Sequence, residues 1–192
     1  MDLSLDRLPS PIGTILLVCG GDALRALDFG DDEDRMRRLL DRHYREYRLA
    51  PGRAPAAIRS RIEGYFEGEF ESLDRVPVET GGTPFQRLVW SALREVPAGT
   101  TVTYGHLATR IGRPRATRAV GMANGSNPVP IVVPCHRVIG ANGALTGYGG
   151  GLDRKRWLLA HERALVARPE LFPVSADCGL AALDQLGCTG RI

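Results

Sequence analysis

Asn127-Pro128-Val129-Pro130-Ile131-Val132-Val133-Pro134-Cys135-His136-Arg137-Val138 sets a cysteine between proline and histidine, directly after an apolar segment. A thiol is a nucleophile only as thiolate, and a neighbouring proton acceptor or positive field favours that form. The ordinary fate of a lone cysteine is an inert place in the core. Here two prolines stiffen the approach and polar side chains flank the sulfur, which marks Cys135 as a candidate nucleophile and His136 as its base. Adjacent side chains need not face each other, so His136 needs a third group to hold it. Glu162 lies at i+4 from Leu158 and i+3 from Leu159, on the apolar stripe of the last strong helix. A carboxylate buried there needs a partner. In a Cys–His–Glu relay, Glu162 would orient and charge-stabilise His136 while His136 takes the thiol proton through water. Such a relay also suits acyl transfer, so a thiol hydrolase stays open on these residues alone.

Working upstream, Thr103 can cap a helix from Tyr104 to Ile111, Gly112-Arg113-Pro114 breaks it, and Arg115 to Asn124 forms the next. Two helices joined by a short glycine-containing turn are the pattern of a helix-turn-helix unit. The second helix carries small Ala116, Ala119, Gly121 and Ala123 beside cationic Arg115 and Arg118. Small side chains let a helix approach a groove closely, and arginine can contact phosphate or enter the groove. Further upstream, Thr83-Pro84-Phe85-Gln86 reads as a capping box with proline at the first helical position. Phe85, Leu88, Val89, Ala92, Leu93 and Val96 form that helix's buried stripe, and Glu79-Thr80-Gly81-Gly82 reads as a linker before it.

The first third reads as strands and helices. Thr14 to Cys19 and Leu24 to Phe29, joined by the Gly20-Gly21-Asp22 turn, suggest a small antiparallel sheet. Asp31 to Asp34 open a helix with Met36, Leu39, Leu40, His43, Tyr44 and Tyr47 on one face. Arg48 to Pro55 reads as a loop, and a further helix carries Ile58, Ile62, Tyr65 and Phe66 on one side.

Composition sets outer bounds. The chain has 192 residues, 43 % hydrophobic and 24 % charged, as expected of a globular protein with a sizeable core. No apolar run approaches the roughly 18 residues of a membrane helix, and no basic-then-apolar leader opens the chain, so a cytoplasmic protein is expected. Four cysteines in a reducing compartment are expected to be free. A net charge of +3 permits nucleic acid as a partner without requiring it, and Lys155 is the only lysine among 25 cationic side chains.

Together these stretches resemble the O6-alkylguanine-DNA alkyltransferases, the methylated-DNA–protein-cysteine methyltransferases. Pro134-Cys135-His136-Arg137-Val138 is similar to that family's active-site signature. Ser10-Pro11-Ile12-Gly13, Thr83 to Trp90, Thr103-Tyr104, Arg118-Ala119-Val120-Gly121, Asn127-Pro128, Gly147 to Gly151 and Leu158-Leu159-Ala160-His161-Glu162 follow the family in order and spacing. The resemblance covers residues 8 to 165.

The resemblance implies an α+β fold in which a small N-terminal antiparallel sheet with helices, residues 1–80 and ribonuclease-H-like, joins a mainly helical domain, residues 81–165, containing the helix-turn-helix. It also implies base flipping from duplex DNA and a single, irreversible transfer of the alkyl group to Cys135, with His136 and Glu162 completing the relay. Substrates would be O6-alkylguanine and, as a further candidate, O4-alkylthymine. Arg118 would enter the base stack, while Thr103, Arg115, Ala119 and Gly121 would face the minor groove. Tyr104 would crowd the target phosphate and give a proton to the purine. Asn127 would be the hinge between the DNA-binding helix and the active-site segment, and Tyr148 with the backbone of Val138 and Gly149 would line the pocket. Gly149 stands where many relatives have serine, so a hydroxyl contact to the base is expected to be missing. Some relatives hold zinc near the N-terminus, but Cys19 has no ligand-spaced company, so neither metal nor cofactor is expected. The protein is expected to act as a monomer. Residues 166–192, with Cys178 and Cys188, are expected to be a loosely ordered extension or a short helix over Leu180 to Leu186. A lesion sensor without transfer activity is the other reading within this resemblance, and the presence of Cys135 argues against it.

Overall fold

The computed structural model describes residues 1–164; the expectations for the extension with Cys178 and Cys188 lie outside the described residues. The chain opens with β1 (Asp2–Leu8), β2 (Ile15–Gly20) and β3 (Ala23–Phe29), continues through α1 (Glu33–His43) to β4 (Arg48–Pro51), and then forms α2 (Ala56–Phe66). After residues 76–83 come α3 (Pro84–Arg94), β5 (Val102–Thr103), α4 (Tyr104–Arg110), α5 (Thr117–Gly125), β6 (Val138–Ile139) and α6 (Leu152–His161). The mixed α+β architecture and the helix-turn-helix pair of α4 and α5 agree with the sequence expectation.

The first sheet has strand order β3-β2-β1-β4. β1, β2 and β3 are antiparallel neighbours, but β4 lies parallel to β1, so the expected antiparallel sheet is mixed at one edge. The reading of residues 48–55 as loop is thus corrected for Arg48–Pro51. The physical reason is the crossover: after β3 the chain passes through α1 over one face and returns at the far edge in the direction of β1. A four-residue edge strand ending in proline has no periodicity to announce it, and proline is tolerated only at such an edge.

β2 is central and buried on both sides. Ile15, Leu17 and Cys19 face the main core, while Leu16 and Val18 face a smaller one closed by Met36 and Leu40 of α1. A strand covered on both faces reads as a continuous apolar run, which explains its unbroken hydrophobicity. α1 stops at His43; Tyr44 is already extended, and Tyr44 and Tyr47 reach the smaller core from outside the helix.

The main core joins the two halves of the chain. Leu24, Leu27 and Phe29 pack with Val89, Leu93, Val120, Val129, Ile131 and Leu158. The free edge of β3 is satisfied from two places: Leu27 N–H donates to the Pro128 carbonyl of the second half at 2.9 Å, and Leu24 exchanges bonds with Pro77 and Glu79 at the end of the first half. The capping box forms as read, with Thr83 accepting from the Gln86 amide at 3.2 Å and Gln86 accepting from the Thr83 amide at 2.8 Å. Thr103 caps α4 by accepting from the His106 amide at 3.1 Å. α5 begins at Thr117 rather than Arg115, and it buries Val120, Ala123 and Asn124 while Arg118 and Ala119 face outward.

Candidate active site

Pro134 leads into one tight helical turn, Cys135–Arg137, whose three side chains are all buried. Asn127 anchors the segment before it. Its side-chain amide donates to the Val133 carbonyl at 2.8 Å and its carbonyl accepts from the Val129 amide at 3.0 Å, so one fully buried residue ties both ends of the 129–133 loop. At the tip, Ile131 is held at φ 75°, a left-handed conformation that a β-branched residue adopts only where its surroundings dictate it.

His136 and Glu162 meet as the sequence spacing suggested. His136 Nε2 lies 2.9 Å from Glu162 Oε1, and both side chains are out of water. Glu162 also accepts from Arg137 Nε at 2.9 Å, Arg137 Nη2 at 2.8 Å and the Tyr65 hydroxyl at 2.8 Å. Burial opposes its charge, but the hydrogen bonds from His136 and Arg137 outweigh burial and hold the carboxyl well below the usual carboxylate range. An ionised carboxylate only accepts, so His136 carries its proton on Nε2 and leaves Nδ1 as an acceptor. Burial keeps the imidazole below its ordinary pKa despite Glu162, so it is neutral and ready to take a proton. Nδ1 is buried and has no protein partner among the described residues.

The Cys135 thiol is pushed up by burial, and the Asn127 hydrogen bond and the charges of Arg35 and Lys155 act against that. Burial thus favours the thiol over a standing thiolate at Cys135. Cys135 opens into a cavity of about 270 Å³ that Arg35, Tyr104, Asn124, Tyr148 and Gly149 help to line. A larger cleft, about 920 Å³, is lined in part by Arg137 but not by Cys135.

Most of the residues named from the sequence converge here. Tyr104, Gly121, Tyr148 and Gly149 share the cavity with Cys135, and the Tyr104 hydroxyl accepts from Thr146 at 3.2 Å. Val138 stands in β6, where its carbonyl accepts from Lys155 Nζ at 2.6 Å. Thr103 stands at the N-cap of α4, while Arg115, Arg118 and Ala119 lie on exposed surface beside and along α5. No group of three or more His, Cys, Asp or Glu side chains suited to a metal occurs among the described residues.

Sequence reasoning missed four residues. Arg35, on α1, bonds Asp28 and reaches the Asn127 carbonyl at 3.5 Å. Its guanidinium lies so close to Gly149 that a Cβ there would collide with Arg35 Nη2 and Cζ. The glycine in place of serine thus makes room for an arginine from the other half of the chain. Lys155, the only lysine, is fully buried and donates to the Val138 and Thr146 carbonyls, with burial pulling it down to about 8. Its spacing from Leu158, Leu159 and Glu162 at i+3, i+4 and i+7 was a usable signal. Tyr65 read as one more apolar face residue, and nothing local announced its bond to Glu162, 97 positions away. Asn124 is 4 % exposed on α5 and also faces the cavity.

The comparisons with known proteins agree on one family. The 6-O-methylguanine DNA methyltransferase ribonuclease-like domain matches residues 7–80, and the DNA binding domain of the same name matches residues 84–164. The chain is 48 % identical over 164 residues to the methylated-DNA–protein-cysteine methyltransferase of Shigella flexneri, covering 84 % of this chain and 96 % of that one. Identity to the Mycobacterium tuberculosis (strain H37Rv) protein of the same name is 45 % over 161 residues, covering 82 % and 90 %. Among solved structures, the M. tuberculosis O6-methylguanine methyltransferase superposes with a TM-score of 0.70 at 40 % identity, covering 88 % of this chain and 97 % of that one. The M. tuberculosis OGT solved in complex with DNA gives 0.70 at 42 % identity, covering 85 % and 93 %. With a buried thiol, a buried His136–Glu162 pair and a helix-turn-helix that lines the same cavity, the chain belongs to the methylated-DNA–protein-cysteine methyltransferase family.

Proposed function

We propose that this protein repairs DNA by taking the alkyl group from O6-alkylguanine onto Cys135, once per molecule. The observation that carries the reading is that Cys135 lines a base-sized cavity together with residues of α5, with its sequence neighbour His136 buried in a pair with Glu162. The thiol proton passes to His136 Nδ1 through water, and the sulfur attacks the alkyl carbon. The carbon–O6 bond breaks as the carbon–sulfur bond forms, and the guanine takes a proton from the Tyr104 hydroxyl as it leaves. A thioether has no leaving group in this site, so the protein does not turn over. Arg118, exposed on α5, fills the space the flipped base vacates, and Ala119, Gly121, Arg115 and Thr103 border the minor groove.

In this reading residues 81–165 bind DNA and hold the acceptor, and residues 1–80 support them through Tyr65, Arg35 and the edge of β3. The protein works as a monomer in the cytoplasm, where reducing conditions keep Cys135 a thiol. Among the described residues no helix is long and apolar enough to cross a membrane. Incubation with duplex DNA carrying labelled O6-methylguanine tests the reading. Label should move to protein stoichiometrically, adding about 14 Da, one CH2 unit, to the Cys135 peptide, and Cys135→Ala should accept none. Multiple turnovers would point to a thiol hydrolase instead.

A further inference from the structure

Glu162 Oε1 carries more donors than Oε2. It accepts from His136 Nε2 at 2.9 Å, Arg137 Nη2 at 2.8 Å and the Tyr65 hydroxyl at 2.8 Å, while Oε2 accepts from Arg137 Nε at 2.9 Å. Arg137, with a bond to each oxygen, already supplies the counter-charge that a buried carboxylate needs. The phenol is therefore additional, and it lands on the oxygen that holds His136. Tyr65 is fully buried on α2, with Phe66, Phe70 and His161 set edge-on to its ring. Phenylalanine would fill that space as well, so packing does not explain the hydroxyl. Its backbone is tied to the same helix end, because His161 Nε2 donates to the Tyr65 carbonyl at 2.8 Å. Burial and the Glu162 charge push the phenol above its ordinary pKa, so it stays a donor.

A carboxylate oxygen offers about two lone pairs, so the three donors on Oε1 compete for it. Each donor stabilises the carboxylate charge and weakens the pull that remains for the others. We infer that Tyr65 is a positioning residue for the alkyl transfer: through Glu162 Oε1 it limits how strongly the carboxylate draws on the His136 Nε2 proton, and so sets the basicity of Nδ1. The part of the relay that is tuned in this way comes from the first half of the chain. The other charged groups that act on His136 are Arg137 and Lys155, and neither bonds the Tyr65 hydroxyl. His161, the remaining titratable neighbour, meets Tyr65 at its ring and its carbonyl.

The inference rests on the alkyl-transfer reading, and the experiment separates the two. The full chain, with isotope-labelled histidine, is compared with Tyr65→Phe and with a chain in which Tyr65 is replaced site-specifically by ring-fluorinated tyrosine. The fluorine makes the hydroxyl a stronger donor without removing it. The His136 Nε2–H proton resonance, assigned by its loss in His136→Asn, reports the bond to Glu162. It should move downfield in Tyr65→Phe and upfield with fluorotyrosine. Single-turnover methyl transfer from duplex O6-methylguanine should follow the same order. Transfer should be about 3-fold faster in Tyr65→Phe and slower by a similar factor with fluorotyrosine, equivalent to about half a pH unit of base strength. A resonance that stays in place across the series overturns the inference. So does movement in one direction for both replacements, the mark of packing alone, or a rate order that departs from the resonance order. If Tyr65→Phe does not fold, the fluorotyrosine chain decides by the same two readouts. Failure of the unmodified protein to accept methyl from O6-methylguanine would instead overturn the alkyl-transfer reading, with the resonance series still readable.

Discussion

Glu162→Gln removes the one charge that faces Arg137, His136 and Tyr65 at once. The Arg137–Glu162 pair is almost wholly out of water, with side-chain exposures of 7 % and 0 %. Removing one partner of such a pair costs about 3–5 kcal/mol, because the surviving charge stays buried without a counter-charge. Glutamine keeps one acceptor oxygen for up to four incoming donors, so the lower end of that range, about 3 kcal/mol, is expected. With a urea dependence of about 2 kcal/mol per molar, the unfolding midpoint should fall by about 1.5 M. Arg137→Met in the same chain removes the stranded cation, so the double variant should lose clearly less than the sum of the two singles. The acid limb provides a second measurement. A carboxyl held below its ordinary value of 4.5 lends stability that is fully present above pH 4.5 and lost as pH falls through the folded value. That loss should be shallower in Glu162→Gln. A midpoint shift worth under about 1 kcal/mol, or strict additivity with Arg137→Met, would refute the argument that this buried pair holds the relay in place.

Asp28 behaves in the opposite sense. Burial outweighs Arg35 and raises its carboxyl from 3.8 to about 6, so its contribution is present below pH 3.8 and lost as pH rises towards 6, a difference of about 3 kcal/mol. Asp28→Asn should flatten the stability profile between pH 4 and 6, and an unchanged slope by denaturant titration would contradict this. Gly150→Ala should destabilise by about 1–3 kcal/mol, because the new Cβ meets the ring of fully buried Phe29; an unchanged thermal midpoint would count against that contact. Arg118→Ala should slow repair of duplex DNA by roughly 30-fold, about 2 kcal/mol of lost support for the flipped state, with little effect on transfer from the free base. Equal losses on both substrates would remove its role in extrusion.

Local patterns carried the helices of the second half. The Thr83 capping box, the Thr103 cap and the glycine turn are written within a few residues of where they act, and each is found where it was expected. β1 was legible in principle, since Asp2-Leu3-Ser4-Leu5 alternates, but the opening residues carried no turn signal to draw attention to it. β4 was not legible, because its pairing with β1 depends on α1 carrying the chain across two intervening strands. The same limit applied at the site. Glu162 could be found because a carboxylate on an apolar stripe is anomalous in its own helix, whereas Tyr65 and Arg35 look ordinary in theirs.

The amino-acid sequence alone singled out Cys135 as a candidate nucleophile, His136 as its candidate base and Glu162 as the carboxylate that the structure places beside His136. Their chemistry is visible in residue type and short spacing, and the surrounding motifs tie them to one family. Only the tertiary structure decided what sits around them. Arg35 lies over Gly149, Tyr65 fastens Glu162, Lys155 is buried against β6, and Asn124 is buried on the helix that lines the cavity. Each of these depends on burial and on contacts between distant segments. A side chain's protonation and partners are set by the dielectric and donors it meets after packing, which no local stretch of chain encodes.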